Sequence, residues 1–159
     1  MNKDENIFVV GNLGSGKTTF IKSWQAKYKN GIVVDEKFSE NPFLASFYKD
    51  MSRWGFPMQV KFLIDYLNSY RKQKKDVVGI TYLIDAGVWT NWHVFTKQLS
   101  DKKLISSEEF ILYEDLTNQL VGLYEYPQPD KIVYVDTSPQ ECLRHIKSRG
   151  FRLSTINNT

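Results

Sequence analysis

Val10-Gly11-Asn12-Leu13-Gly14-Ser15-Gly16-Lys17-Thr18-Thr19 is the stretch on which the reading of this chain turns. It fits GxxxxGK[ST] and lies between an apolar run, Ile7 to Val10, and a helical pattern, which is the context a phosphate-binding loop requires. Three glycines let the backbone curl until its N–H groups converge. A helix N-terminus adds partial positive charge, so a polyphosphate is favoured there. Gly11, Gly14, Ser15, Gly16, Lys17, Thr18 and Thr19 are therefore the expected nucleotide contacts. Lys17 should reach the outer phosphates, and Thr18 offers Mg²⁺ a hard oxygen ligand. Glycine-rich turns also occur without ligands; the full motif between strand and helix favours a nucleotide here.

The rest of the chain alternates strand and helix signals. Phe20, Ile21, Trp24 and Tyr28 recur at helical spacing up to Asn30-Gly31. Ile32 to Val34 reads as a short buried strand and Gly79 to Ile84 and Ile132 to Val135 as further strands, each followed by a carboxylate: Asp35-Glu36, Asp85 and Asp136. Strand ends of this kind are where open α/β sheets bind ligands. Asn41-Pro42 reads as the start of a short helix ending near Arg53, and Pro57 as the opening of a longer one that puts Gln59, Phe62, Leu63, Tyr66 and Tyr70 on one side. A weaker helix covers Val88 to Leu99. Ser106-Ser107-Glu108-Glu109 resembles a capping box before a long helix, and Ser138-Pro139 opens a last one carrying Cys142, Leu143 and Ile146. The expected fold is α/β: a parallel sheet of about four strands flanked by helices, in one domain over residues 1–159.

Composition narrows the partners. With 159 residues, 42% hydrophobic and 14% aromatic, the chain can bury one substantial core. A balance of 21 basic against 18 acidic residues, without a long basic run, argues against a dedicated nucleic-acid binder. One cysteine, Cys142, cannot form an internal disulfide and suits a reducing compartment. The N-terminus reads as neither a secretory signal nor a membrane span, so a cytoplasmic protein with no membrane partner is expected. His93 and His145 read as ordinary surface or packing residues.

The block Asp35-Glu36-Lys37-Phe38-Ser39-Glu40-Asn41-Pro42-Phe43-Leu44, followed by Phe47-Tyr48, Asp50, Arg53-Trp54 and Phe56-Pro57-Met58-Gln59, resembles the deoxynucleoside kinase family, the kinases of deoxyadenosine, deoxyguanosine and deoxycytidine. Leu104 to Glu109 and Pro129 to Pro139 are similar to it as well. The resemblance implies a P-loop kinase-type fold, ATP or another nucleoside triphosphate as phosphate donor, Mg²⁺, a small-molecule nucleoside or nucleotide as partner, and a possible homodimer packed through the helices Pro57–Tyr70 and Ser107–Tyr124. It puts the general base on Glu36, a sugar 3′-hydroxyl contact on Tyr48, base reading on Gln59, metal coordination on Asp85 beside Thr18, and a lid arginine on Arg149. Taken as residues alone, Glu36 could equally be a solvated or capping carboxylate, Tyr48 a packing ring, and Gln59 an exposed amide.

Departures from the family pattern are specific. Ala86 stands where the family has an arginine near the transferring phosphate, and Asn91-Trp92 where a second acidic–arginine pair shapes the base pocket. His145 and Phe151 stand at positions where arginine is common. Thr159 comes before the family's remaining helices and fifth strand, so an incomplete donor-base pocket is expected. Three functions follow: phosphorylation of a deoxynucleoside 5′-hydroxyl in nucleotide salvage, non-catalytic binding of a Mg-nucleotide by the same fold, or another small-molecule or nucleoside monophosphate kinase activity.

Overall fold

The computed structural model describes residues 3–35 and 41–148. The chain forms β1 (Glu5–Val10), α1 (Lys17–Lys27), β2 (Ile32–Val34), α2 (Leu44–Lys49), α3 (Met51–Gln73), β3 (Thr81–Asp85), α4 (Gly87–Thr90), a π-helical segment (Asn91–Thr96), α5 (Lys97–Asp101), α6 (Ser107–Leu123), β4 (Lys131–Tyr134) and α7 (Pro139–Ser148). These elements fall into two compact units. The first takes residues up to Asp35, Lys75–Ala86 and the segment from Gln128; the second takes the segment up to Lys74 and Gly87–Pro127.

The first unit is a four-stranded parallel sheet in the order β2-β3-β1-β4. Its strands are short β-branched and aromatic runs, and side chains alternate between faces. Val9 and Leu83 pack with Ile21 of α1, joined by Ile7, Trp24, Val33 and Val135. Phe8, Val34, Tyr82 and Ile84, on the alternate positions, are also buried. The ladder runs past both neighbours of β1: Ala86 N–H donates to Val9 O at 3.0 Å and Val135 N–H to Val10 O at 2.8 Å. The phosphate loop therefore leaves the central strand at the C-terminal edge of the sheet.

The second unit is helical. Asn41 turns the chain into α2 by accepting from Phe43 N–H at 2.9 Å, so the Asn-Pro start signal describes a real turn. Pro57 does not open a helix. It lies inside α3, which begins at Met51 because Asp50 caps it, its Oδ1 accepting from Arg53 N–H at 3.0 Å. Proline removes the bond to the Arg53 carbonyl, yet Gly55, Met58, Gln59, Phe62, Leu63, Tyr66, Leu67 and Tyr70 are buried on both sides of it. Packing outweighs the missing bond. The capping box on Ser106 and Glu109 is present, with both reciprocal bonds formed at the start of α6. The weak helix signal after β3 is weak for a structural reason: the segment changes from α to π geometry at Asn91 and back at Lys97.

Removing the cap tests the start of α3. Asp50→Ala should cost about 1 kcal/mol of stability, read as a lower urea midpoint at unchanged m-value, whereas Asp50→Ser should restore most of it. Equal midpoints for all three proteins would show that the cap does not set the helix start.

Candidate functional site

The loop from Gly11 to Gly16 is held in shape by its glycines and by donors around it. Gly16, at the N-cap of α1, has φ 101° with no neighbour within 4 Å of a built Cβ, so conformation alone demands glycine there. Gly14, at φ 78°, is needed for space as well: a Cβ would sit 2.5 Å from Cys142 O. Lys17 Nζ donates to Gly11 O at 2.9 Å and Asn12 O at 3.1 Å, and Thr137 Oγ1 to Ser15 O at 2.7 Å. Thr18 and Thr19 follow Lys17 in the first turn of α1 and are exposed. Ser15 is buried, and its Oγ has no hydrogen-bond partner among the described residues.

Asp85 ends β3 in the same unit. It is 6% exposed, and its Oδ1 has no hydrogen-bond partner among the described residues. Burial pushes its carboxyl up to about 6, against the pull of the Lys17 ammonium and with a further push from Asp35. A carboxylate so placed is short of positive charge. Ala86, at the position where the family pattern has arginine, is 3% exposed with φ 55°.

His145, expected as a surface or packing residue, packs on the loop: its Nδ1 lies 2.8 Å from Gly14 O. The sequence signal for it was its helical spacing of three from the buried Cys142, which puts an imidazole on the inward stripe of α7. Cys142 itself is a buried thiol outside any disulfide, and its Sγ donates to Thr137 O at 3.6 Å.

The second unit holds Gln59 and Tyr48. Gln59 is 3% exposed rather than a surface amide; its Oε1 accepts from Thr96 Oγ1 at 3.3 Å and its main-chain O from Asn91 Nδ2 at 3.3 Å. Asn91 Nδ2 also donates to Tyr113 OH at 2.7 Å, and Thr96 Oγ1 to Asn91 O at 2.8 Å. Burial pushes the Tyr113 phenol up to about 12. The π-helical segment brings Asn91 and Thr96 to this network, and such segments recur at functional sites. Periodicity did not reveal the network, because Thr96 and Tyr113 are unremarkable in an α-helical reading. Tyr48 is half-buried, its ring edge-on to Phe47 at 5.5 Å, and burial raises its phenol. Glu36 and Arg149 lie outside the described residues.

Asp85 makes stability depend on pH. Its folded value of about 6 lies above the ordinary 3.8, so the folded chain binds the proton more tightly than the unfolded chain does. Stability is therefore lost as pH rises from about 4 to about 6 and stays lower above that. In metal-free buffer Asp85→Asn should match the parent below this window and exceed it above, by up to roughly 3 kcal/mol at 1.36 kcal/mol per pKa unit. A difference that does not change with pH would contradict this.

The deoxynucleoside kinase family model matches residues 7–157. Among characterised relatives, a deoxyadenosine/deoxycytidine kinase of Bacillus subtilis is 28% identical over 93% of this chain and 67% of its own length. A deoxyguanosine kinase of Dictyostelium discoideum is 29% identical over 93% of this chain and 51% of its own. The chain thus spans between half and two thirds of the length of these relatives. The solved structure of a deoxyadenosine kinase from M. mycoides superposes with a TM-score of 0.77 at 23% identity, covering 97% of this chain and 74% of that one, and shares the fold. With the family pattern running from β1 to beyond α7, this chain belongs to the deoxynucleoside kinase family.

Proposed function

We propose that this chain phosphorylates the 5′-hydroxyl of a deoxynucleoside, drawing the phosphate from ATP or another nucleoside triphosphate. One observation carries the reading. The phosphate loop and the adjoining strand end bury two oxygens, Ser15 Oγ and Asp85 Oδ1, that no described residue satisfies. Buried polar atoms ordinarily have partners, so this arrangement suits a ligand that brings them.

Each residue then has a task. The loop amides and Lys17 bind and orient the donor phosphates, and Thr18 and Asp85 supply the hard oxygens that suit Mg²⁺. One or two protein oxygens suffice there, because phosphates and water complete the shell, so the absence of any His/Cys/Asp/Glu cluster among the described residues does not argue against the ion. When bound, Mg²⁺ neutralises charge on the transferring phosphoryl group. Glu36 takes the proton from the acceptor hydroxyl, Arg149 stabilises the transferring charge, Tyr48 meets the sugar 3′-hydroxyl and Gln59 reads the base. The relatives named as kinases of deoxyadenosine, deoxycytidine and deoxyguanosine support this substrate class. Ala86 removes one cation from the arrangement, which lowers the expected rate.

The proposal includes a homodimer and a cytoplasmic setting. Among the described residues no helix is long and apolar enough to cross a membrane. α6 leaves Ile111, Leu112 and Leu123 exposed, and α3 leaves Ile64 exposed. These apolar side chains on two packed helices of one unit are the surfaces a partner copy would cover.

A coupled assay of ATP consumption across the four deoxynucleosides should show turnover. Lys17→Ala should lower it by about 10²-fold or more, and Gln59→Leu should raise KM for the preferred nucleoside. Magnesium-dependent nucleotide binding without turnover in the parent protein would leave a nucleotide binder and end the kinase reading. Sedimentation should give a dimer that Leu112→Glu combined with Leu123→Glu shifts to monomer; a monomeric parent protein would remove the dimer.

A further inference from the structure

α7 presses directly on the phosphate loop. A Cβ at Gly14 would meet Cys142 O at 2.5 Å and Ile146 Cγ1 at 3.0 Å, so the loop passes against the helix with no room for a side chain. Between those two residues on the same face, His145 Nδ1 lies 2.8 Å from Gly14 O. A carbonyl oxygen only accepts, so Nδ1 must carry the proton whether the ring is neutral or charged. Nε2 faces Glu141 Oε2 at 3.8 Å, too far for a hydrogen bond.

We infer that His145 is a positioning residue of the phosphate loop: its Nδ1–H holds the Gly14 carbonyl outward and so keeps the loop in the shape that receives a nucleotide's phosphates. The inference rests on the proposed nucleotide binding. In a planar trans peptide the carbonyl and the following N–H point in opposite directions, so His145 holds one end of the Gly14–Ser15 peptide while Ser15 N–H, donating to Asn12 O at 3.1 Å, holds the other. A rotated peptide would lose both bonds and change the shape of the loop. Lys17 anchors the Gly11 and Asn12 carbonyls and Thr137 that of Ser15. Gly14 lies between them at φ 78°, and a glycine peptide rotates more freely than any other. Its carbonyl is the one that α7 secures through a side chain, and the position that secures it is one where the family pattern has arginine.

Two measurements test this on the full chain. Long-range ¹H–¹⁵N NMR of neutral His145 should show a protonated Nδ1 and an unprotonated Nε2; the opposite tautomer overturns the inference without reference to any ligand. Titration calorimetry with MgATP should show a dissociation constant about three- to tenfold weaker in His145→Leu, the loss of one hydrogen bond. His145→Asn, whose amide N–H can occupy the place of Nδ1–H, should return it towards the parent value. Thermal midpoints of both variants separate folding from positioning. Unchanged affinity in His145→Leu, or His145→Asn as weak as His145→Leu, overturns the inference while nucleotide binding stands. If the parent protein binds no MgATP, or binds it as well with Lys17→Ala, nucleotide binding by the loop fails and the inference falls with it.

Discussion

The phosphate loop is an unfavourable shape held from outside. Three of its residues, Gly11, Gly14 and Gly16, adopt positive φ values that residues with a side chain rarely take. What keeps it is a ring of donors on the outward carbonyls of Gly11, Asn12, Gly14 and Ser15, contributed by Lys17, His145 and Thr137. Two of those donors come from the segment around α7, far along the chain. The loop's geometry therefore depends on β4 pairing with β1, which brings that segment alongside.

The same economy governs the acidic end of β3. Asp85 is buried beside Lys17 and near Asp35, and the desolvation of its carboxylate outweighs the lysine's attraction. A group in that state gains most from an added cation. In the second unit the polar groups are instead linked to one another: Gln59, Asn91, Thr96 and Tyr113 are joined by hydrogen bonds in a buried cluster made possible by the change of helical pitch after Thr90. A network of this kind holds its members in place.

Several parts of this arrangement were legible in residue order. The loop motif, the strands ending in carboxylates and the capping box at Ser106 are local signals, because each rests on contacts within a few residues. Pro57 misled for the opposite reason. Proline at a helix start is a statistical preference, and here a cap seven residues earlier and a buried face on both sides overrule it. Thr96 was silent, and the spacing of His145 from Cys142 marked its face of the helix but not its partner, since a histidine or threonine in a helical pattern carries no mark of the carbonyl it will meet.

By itself, then, the order of residues determined a parallel α/β sheet, a phosphate loop at the end of its first strand, and the resemblance that led to the family. Tertiary structure alone decided which side chains secure the loop, that Asp85 is desolvated enough to hold its proton at raised pH, and that Gln59 is buried in a polar cluster. The physical reason is range. Turn chemistry, capping and strand periodicity act over a few residues, whereas burial and the partners of a polar atom depend on residues brought together from distant parts of the chain.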